Sequence, residues 1–175
     1  MDIRKHTQME DEYQLFDAAS EMDDKYLTYW TDKQLFGVPI VDVVQIIKMQ
    51  KITAIPEFPS YVKGIINLRG SIIPLIDVRL RLGKPEIEYN ERTCIIVTSI
   101  REKEIGFIVD EVDEVVNIGK ESITAPPKIS VDCQNAYLTG IATQEDRIVL
   151  LVDAAKILSG EVIDSLIENG GIVNA

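Results

Sequence analysis

The chain has 175 residues, 46% of them hydrophobic, and a formal net charge of −11. This length can bury one core or two small joined ones, and the valine and isoleucine content favours strands over helices. The acidic charge argues against nucleic-acid binding, which depends mainly on lysine and arginine neutralising phosphates. No apolar run reaches the ~18 residues of a membrane span, and the N-terminus has no apolar signal core, so we expect a cytoplasmic protein.

The chain begins with an acidic N-terminal extension. Residues 1–25 contain eight Asp/Glu against three Lys/Arg and show no clear period of apolar residues. Such a segment cannot bury enough apolar surface to offset the entropy of ordering, so we expect disorder here. We expect residues 166–175 to form a frayed tail.

A first β-barrel unit is predicted over residues 26–84. It opens with a hairpin and continues with a helical turn running into a strand over residues 41–49. An apolar strand pair then flanks the turn Asn67-Leu68-Arg69-Gly70, and a short helix or turn follows over residues 78–82. The first hairpin is predicted as strands Lys25–Trp30 and Gln34–Ile40 around the turn Thr31–Lys33.

The turn at Arg69 lies in a basic window of an acidic chain. Residues 61–85 hold five Lys/Arg and one Asp. One interpretation is a site for an acidic protein partner. The other is a solvated strand edge that its cations protect from aggregation.

Residues 85–165 repeat this plan as a second β-barrel unit. They contain a hairpin over residues 93–109, a stretch 110–118 that parallels 41–49, and a C-terminal helix beginning near Asp153. We infer a tandem duplication and predict an all-β fold of two five-stranded barrels, because closure removes exposed strand edges. At an offset of 76 residues the identical pairs are Tyr61/Tyr137, Gly64/Gly140, Ile65/Ile141, Ile72/Ile148, Leu75/Leu151, Asp77/Asp153 and Leu82/Leu158.

The duplication gives an internal control for function. Positions shared by both copies are expected to serve the fold: Gly64 and Gly140 as turns, Asp77 and Asp153 as caps. Arg69 falls on Glu145 in the second copy, so the barrel does not require an arginine there, and we interpret Arg69 as functional.

The segment GIINLRGSIIPLIDVR closely resembles the signature of the CheW family, the coupling proteins of bacterial chemotaxis. Tyr137–Gly140 and Asp146–Leu150 resemble later motifs of the family, and the resemblance covers about residues 25 to 160. It implies two five-stranded SH3-like barrels, with strands that can be exchanged between the halves. It also implies that the protein is an adaptor that binds both the regulatory domain of the histidine kinase CheA and chemoreceptor cytoplasmic hairpin tips. These proteins would form arrays at the inner face of the membrane, and the arrays can include other CheW copies.

The resemblance also assigns site residues. Gln45 lies where many relatives carry glutamate, so a salt bridge to a receptor would be replaced by a neutral hydrogen bond, roughly half as strong. For Val112 and Val115 the alternative is core packing. The implied receptor-binding groove consists of Ile40, Val43, Gln45, Arg69, Thr93, Cys94, Gly106, Val112 and Val115, and the implied kinase ring contact consists of Thr124, Lys128 and Ile129.

The residues disfavour two other classes of function. Enzymatic activity is not expected, because the only histidine, His6, lies in the extension, and no nucleophile, phosphate-binding or metal-ligand motif is present. For the same reasons no cofactor is expected. A barrel of the OB type that binds another ligand, such as nucleic acid, stays open as the alternative, although it would need a basic groove with stacking aromatics.

Overall fold

A computed structural model describes residues 24–127, 137–158 and 160–168, and of the last helix the side chains of 162–166. The predicted extension up to residue 23 and residues 169–175 of the predicted tail lie outside the described residues. Residues 166–168 of that tail instead belong to the last helix, where Leu166 is buried in the core. The elements are β1 (Lys25–Thr31), β2 (Gln34–Pro39), a 3-10 turn (Ile40–Asp42), β3 (Val43–Lys48), β4 (Val62–Leu68), β5 (Ser71–Asp77), α1 (Val78–Arg81), β6 (Cys94–Ile100), β7 (Lys103–Val109), β8 (Glu111–Asn117), a 3-10 turn (Lys120–Ser122), β9 (Ile123–Thr124), β10 (Leu138–Gln144), β11 (Arg147–Val152), α2 (Ala154–Ile157) and α3 (Gly160–Glu168).

These elements confirm an all-β fold with short helices. Six strands form one sheet in the order β8-β1-β2-β11-β10-β9, and five form the other in the order β3-β6-β7-β5-β4. Each sheet takes one hairpin from the opposite half of the sequence: β1-β2 joins the strands of the second half, and β6-β7 joins those of the first. The division of the sequence into units 26–84 and 85–165 stays a prediction.

The strand registers repeat between the two halves. The β4-β5 pair and the β10-β11 pair have the same register and the same irregularity at an offset of 76, with Gly64 opposite Leu75 and Gly140 opposite Leu151. The β1-β2 and β6-β7 hairpins match at an offset of 69, with Gly37 and Gly106 as equivalent residues. The backbone pairing therefore supports the inferred duplication independently of residue identity.

Three apolar clusters hold the sheets together. One fills the interior of each barrel: Leu35, Val149 and their neighbours in the six-stranded sheet, and Leu75, Val97 and theirs in the five-stranded sheet. The third and largest, which we call the central core, lies between the sheets and includes Phe36 and Phe107. The sheets are thus joined by a shared hydrophobic interface as well as by exchanged hairpins.

Two local predictions are wrong. Gly64 and Gly140 lie inside β4 and β10 rather than in turns. Gly64 has a φ of +143°, and a Cβ there would collide with the carbonyl of Thr53, so this strand needs glycine for close backbone approach. Residues 111–117 form strand β8, and no 3-10 turn precedes it, in contrast to Ile40–Asp42 before β3.

The predicted caps are confirmed. Asp77 accepts a hydrogen bond from the backbone N–H of Leu80 at 3.2 Å, and Asp153 accepts one from Ala155 at 2.9 Å. Each aspartate therefore satisfies an otherwise free N–H group where its strand passes into a short helix.

Candidate protein-binding surface

Strand β3 lies at an edge of the five-stranded sheet and carries a row of exposed apolar side chains. Val41, just before the strand, and Val44 and Ile46 within it leave 54%, 47% and 43% of their surface exposed. We call these three residues the β3 strip. A row of large apolar side chains on an edge strand is typical of a surface that a protein partner covers.

The second copy of the unit does not keep this row. β8 corresponds to β3 at the offset of 69, and there Asp110 and Asp113 replace the two valines of the β3 strip. The third position keeps an apolar residue, Val115, which is 51% exposed and so is not core. The fold therefore does not require apolar residues at the first two positions.

Four of the predicted groove residues lie together on the rim of the central core. Ile40, Val43, Cys94 and Val112 are all partly buried and pack against it. Val43 and Val112 are equivalent in the two copies and lie on edge strands of different sheets. The thiol of Cys94 is accordingly only partly buried.

Three other predicted groove residues do not join this rim. Gln45 pairs with Val97, which belongs to the interior of the five-stranded barrel. The Thr93 hydroxyl accepts a hydrogen bond from the backbone N–H of Asn90 at 3.0 Å, and Thr93 is buried. Gly106 lies in the middle of β7, where a Cβ would approach side chains of the barrel interior. Their placement assigns Thr93 to a turn and Gly106 to core packing.

Arg69 occupies the tip of the β4-β5 hairpin, and its side chain is exposed. Its φ of +55° fits a tight two-residue turn, which Asn67 closes by accepting a hydrogen bond from the N–H of Gly70 at 2.9 Å. One strand of this hairpin, β4, is the other end strand of the sheet, and the segment that follows β3 returns to pair with it through Thr53 and Ile65.

Most cations of the basic window 61–85 are engaged inside the chain. Within the described part of the molecule, Arg69 alone among the five has no ion pair or ring contact. The window is therefore mainly an internal network rather than a free basic surface. The contacts are Lys63 with Glu86 at 2.6 Å, Arg81 over the ring of Tyr61 at 5.7 Å, and Arg79 and Lys84 with Asp32 at 3.5 and 3.6 Å.

Arg79 connects three separate segments. Its Nε donates to Asp110 at 2.8 Å and its Nη1 lies 3.5 Å from Asp32, whose backbone N–H donates to Asp110 at 2.9 Å. The hydrogen bond to Asp110 raises the pKa of Arg79, against the opposing effect of burial. We call this group the Arg79 clasp. It ties helix α1 to the β1-β2 turn and to the β7-β8 connection, and sequence reasoning missed it.

The pKa values of one carboxyl group, Asp42, and one phenol, Tyr89, are raised near the ends of β2 and β5. Burial, and secondarily the charge of Asp153, raise the pKa of Asp42. The Tyr89 hydroxyl donates to Asp77 at 2.7 Å, and burial followed by that hydrogen bond raises the tyrosine pKa. Both sites are explained by the fold, since Asp77 and Asp153 serve as caps.

Of the predicted kinase contact, only Thr124 is described. It lies exposed on β9 and donates its hydroxyl to the carbonyl of Ile141 at 3.1 Å. Lys128 and Ile129 lie outside the described residues.

Over the described ranges, no group of three or more His, Cys, Asp or Glu side chains could hold a metal ion. In the same ranges, no helix is long and apolar enough to cross a bilayer.

Comparisons with known proteins agree with this architecture. The family model described as "CheW-like domain" matches residues 25–162. The chain is 32% identical to the Klebsiella aerogenes chemotaxis protein CheW over 152 residues, covering 87% of this chain and 91% of that protein. It is also 32% identical to the Bacillus subtilis protein of the same name over 150 residues, covering 86% and 96%. The crystal structure of the scaffolding protein TtCheW from Thermoanaerobacter tengcongensis is similar, with a TM-score of 0.70, 37% identity and coverage of 75% and 90%.

Proposed function

The chain belongs to the CheW-like family, and from that premise we propose that it couples chemoreceptor cytoplasmic tips to the regulatory domain of the kinase CheA. The family consists of non-enzymatic scaffolds of chemotaxis, so the work of this chain is binding and not catalysis. We further propose that it acts in the cytoplasm and is recruited to receptor arrays at the inner face of the membrane.

The observation that carries the proposal is the β3 strip. A receptor tip is a helical hairpin, and an amphipathic helix binds by laying its apolar face into an apolar groove. The β3 strip adjoins Ile40 and Val43 in sequence, and these partly buried residues on the rim of the central core would add to the apolar surface that such a helix contacts. The acidic replacements in β8 support a partner-specific role for the β3 strip.

Arg69 supports a second contact. It is exposed, carries an unneutralised charge within the described part of the chain, and differs from Glu145 at the equivalent turn. Arg69 lies at a hairpin tip rather than on β3, and we propose that it meets a different part of the partner, or a different partner, from the β3 strip. We assign it to the control of kinase activity.

We propose that Thr124, Lys128 and Ile129 contact the kinase domain. Ile129 would supply the apolar part of this contact. Thr124 would contribute little polar energy, since its hydroxyl already donates to Ile141.

No particular observation favours the alternative of a nucleic-acid-binding barrel. The net charge of −11 opposes phosphate binding, and the cations of the basic window are mostly paired.

Co-sedimentation with receptor-containing membranes tests the proposal. We expect the wild-type protein to pellet with these membranes when CheA is present and to support kinase stimulation. Val44→Asp should abolish receptor-dependent pelleting, because it places an unpaired charge in the apolar contact. Ile148→Ser removes an exposed apolar side chain on another face, 63% exposed, and should leave pelleting intact. Equal pelleting of wild type and Val44→Asp would contradict the assignment of the β3 strip.

A further inference from the structure

A surface concavity of about 380 Å³ opens in the six-stranded sheet, away from the β3 strip. Strands β2 and β11 run parallel but pair only at Leu150 with Phe36 and at Leu151 with Gly37. The concavity lies just before these pairs, where the two strands begin. Its lining residues are Trp30, Lys33, Gln34, Leu35, Arg147, Ile148 and Leu150.

Part of the lining is apolar at a position where the fold does not need an apolar residue. The equivalent position of the five-stranded sheet, at an offset of 69, exchanges Trp30 for Ser99, whereas Leu35 is buried and belongs to the barrel interior. Ile148 keeps its counterpart Ile72 but is 63% exposed, the highest value among the exposed large hydrophobic residues of the described part of the chain. An aromatic ring beside an exposed isoleucine, rimmed by cations, has the composition of a binding pocket.

Two cations lie at the rim of the concavity. Arg147 is held by Asp113 and Glu114 at 3.1 and 3.0 Å. Lys33 has a positive φ of +64° in the β1-β2 turn and no ion pair within the described part of the chain. An occupant that combines apolar side chains with acidic ones would complement this surface.

We propose that the occupant is the chain's own N-terminal segment, residues 10–17, which reads EDEYQLFD. The segment has four acidic residues and no basic ones, and Tyr13, Leu15 and Phe16 supply the apolar side chains. The aromatic and aliphatic side chains pack against Trp30 and Ile148, and the acidic residues approach Lys33. The N-terminal extension thereby covers this face of the protein.

The connecting chain is long enough. Tyr13 to Phe16 precede Asp24 by eight to eleven residues, which span at least ~26 Å when extended. The part of β1 from Lys25 to Trp30 covers about 17 Å, at a strand rise of ~3.3 Å per residue. The segment can therefore turn back along β1 and reach the concavity.

Trp30 is the only tryptophan of the chain, so its fluorescence reports the concavity directly. In the full-length protein we expect Leu15→Ser with Phe16→Ser to shift Trp30 emission to longer wavelength and to increase its quenching by acrylamide. Ile3→Ser, an apolar substitution in the extension but outside the acidic segment, is the matched control and should change neither. Added salt should increase quenching in the wild type, since part of the attraction is electrostatic.

The reverse substitution tests the same contact from the other side. Ile148→Ser should shift the backbone amide resonances of residues 13–17 in the full-length protein, and unchanged melting temperatures would show that every variant is folded. Equal quenching of Trp30 in the wild type and the Leu15/Phe16 variant would overturn the proposal. If Trp30 is protected from acrylamide quenching at high protein concentration but not after dilution, the segment of one copy binds the concavity of another copy. That result would overturn the proposal that the segment binds within its own chain.

Discussion

Arg69 combines a left-handed backbone conformation with a free side chain. The turn accepts a residue other than glycine at this φ of +55°, since Glu145 has the same φ at the equivalent position, and no partner in the described part of the chain holds the guanidinium. The arginine therefore contributes little to folding, which leaves binding as the reason for its presence.

Replacing Arg69 with alanine should separate binding from stability. The free energy of unfolding should change by no more than about 0.5 kcal/mol, as for most surface substitutions. Receptor-coupled kinase activation should fall. Chemical denaturation and a reconstituted kinase assay measure the two effects, with Arg69→Lys showing whether charge alone suffices. A large loss of stability would show that the arginine is structural.

Asp42 gives a prediction about pH. Its pKa is raised in the folded protein, so the folded state holds a proton more tightly than the unfolded state. The free energy of unfolding should therefore decrease as pH rises from the unfolded-state pKa of ~3.9 through the higher folded-state pKa. It should stay at this lower level up to neutral pH. Asp42→Asn should raise the melting temperature at pH 7 and leave it unchanged near pH 3. An equal effect at both pH values would point to lost packing or hydrogen bonding instead.

At the scale of single elements, β7 depends on the absence of a side chain at Gly106. A Cβ there would approach Leu75 Cδ2 to 2.6 Å and Ile95 Cγ2 to 2.8 Å, and both side chains are fully buried. Gly106→Ala should reduce stability by about 1–3 kcal/mol through overpacking.

The equivalent Gly37 provides the control for that substitution. Its Cβ would meet Leu151 and Val149 at 3.0 and 3.1 Å, so Gly37→Ala should cost less. Urea denaturation of both variants measures the difference. A stable Gly106→Ala variant that has lost receptor binding would restore Gly106 to the groove and contradict its assignment to the core.

The Arg79 clasp is a polar link between elements of the two halves. Arg79→Met should lower stability by about 2 kcal/mol, because it leaves the part-buried carboxylate of Asp110 without its cation. Lys63→Met breaks the more exposed pair with Glu86 and should cost less than about 1 kcal/mol. Thermal unfolding of the two variants checks the ranking, and a similar loss in both would show that the clasp is no stronger than a surface pair.

The elements themselves could be predicted from local patterns, including the 3-10 turn that passes into β3. The β3 strip could not. Strict alternation puts Val43 and Gln45 on one face of the strand, but a register shift between them leaves Val43 opposite Thr98 and Gln45 opposite Val97. A bulge adds one residue and reverses the alternation beyond it, and the residue type at Val44 does not indicate a bulge.

The Arg79 clasp could not be predicted from local sequence either, because its partners lie 31 and 47 positions away in the chain.

At the scale of the whole molecule, the exchange of hairpins makes each half depend on the other. Hairpin β1-β2 is flanked by β8 and β11, and hairpin β6-β7 by β3 and β5. The central core draws residues from both sheets. Local sequence could not specify this pairing, because the repeated registers are equally compatible with pairing inside each unit.

Separating the two halves tests this dependence. Fragments 1–84 and 85–175 should each be largely unfolded alone, since each would hold one hairpin without the strands that flank it in the intact sheets. Mixed together, they should reassemble and recover the dispersed amide resonances of the intact chain, because the cut falls in the connection between α1 and β6 and breaks no strand. Circular dichroism and NMR spectra of the separate and mixed fragments provide the measurement. A fragment that folds cooperatively by itself would show that the strands can pair within one half, and the exchange would then not be needed for stability.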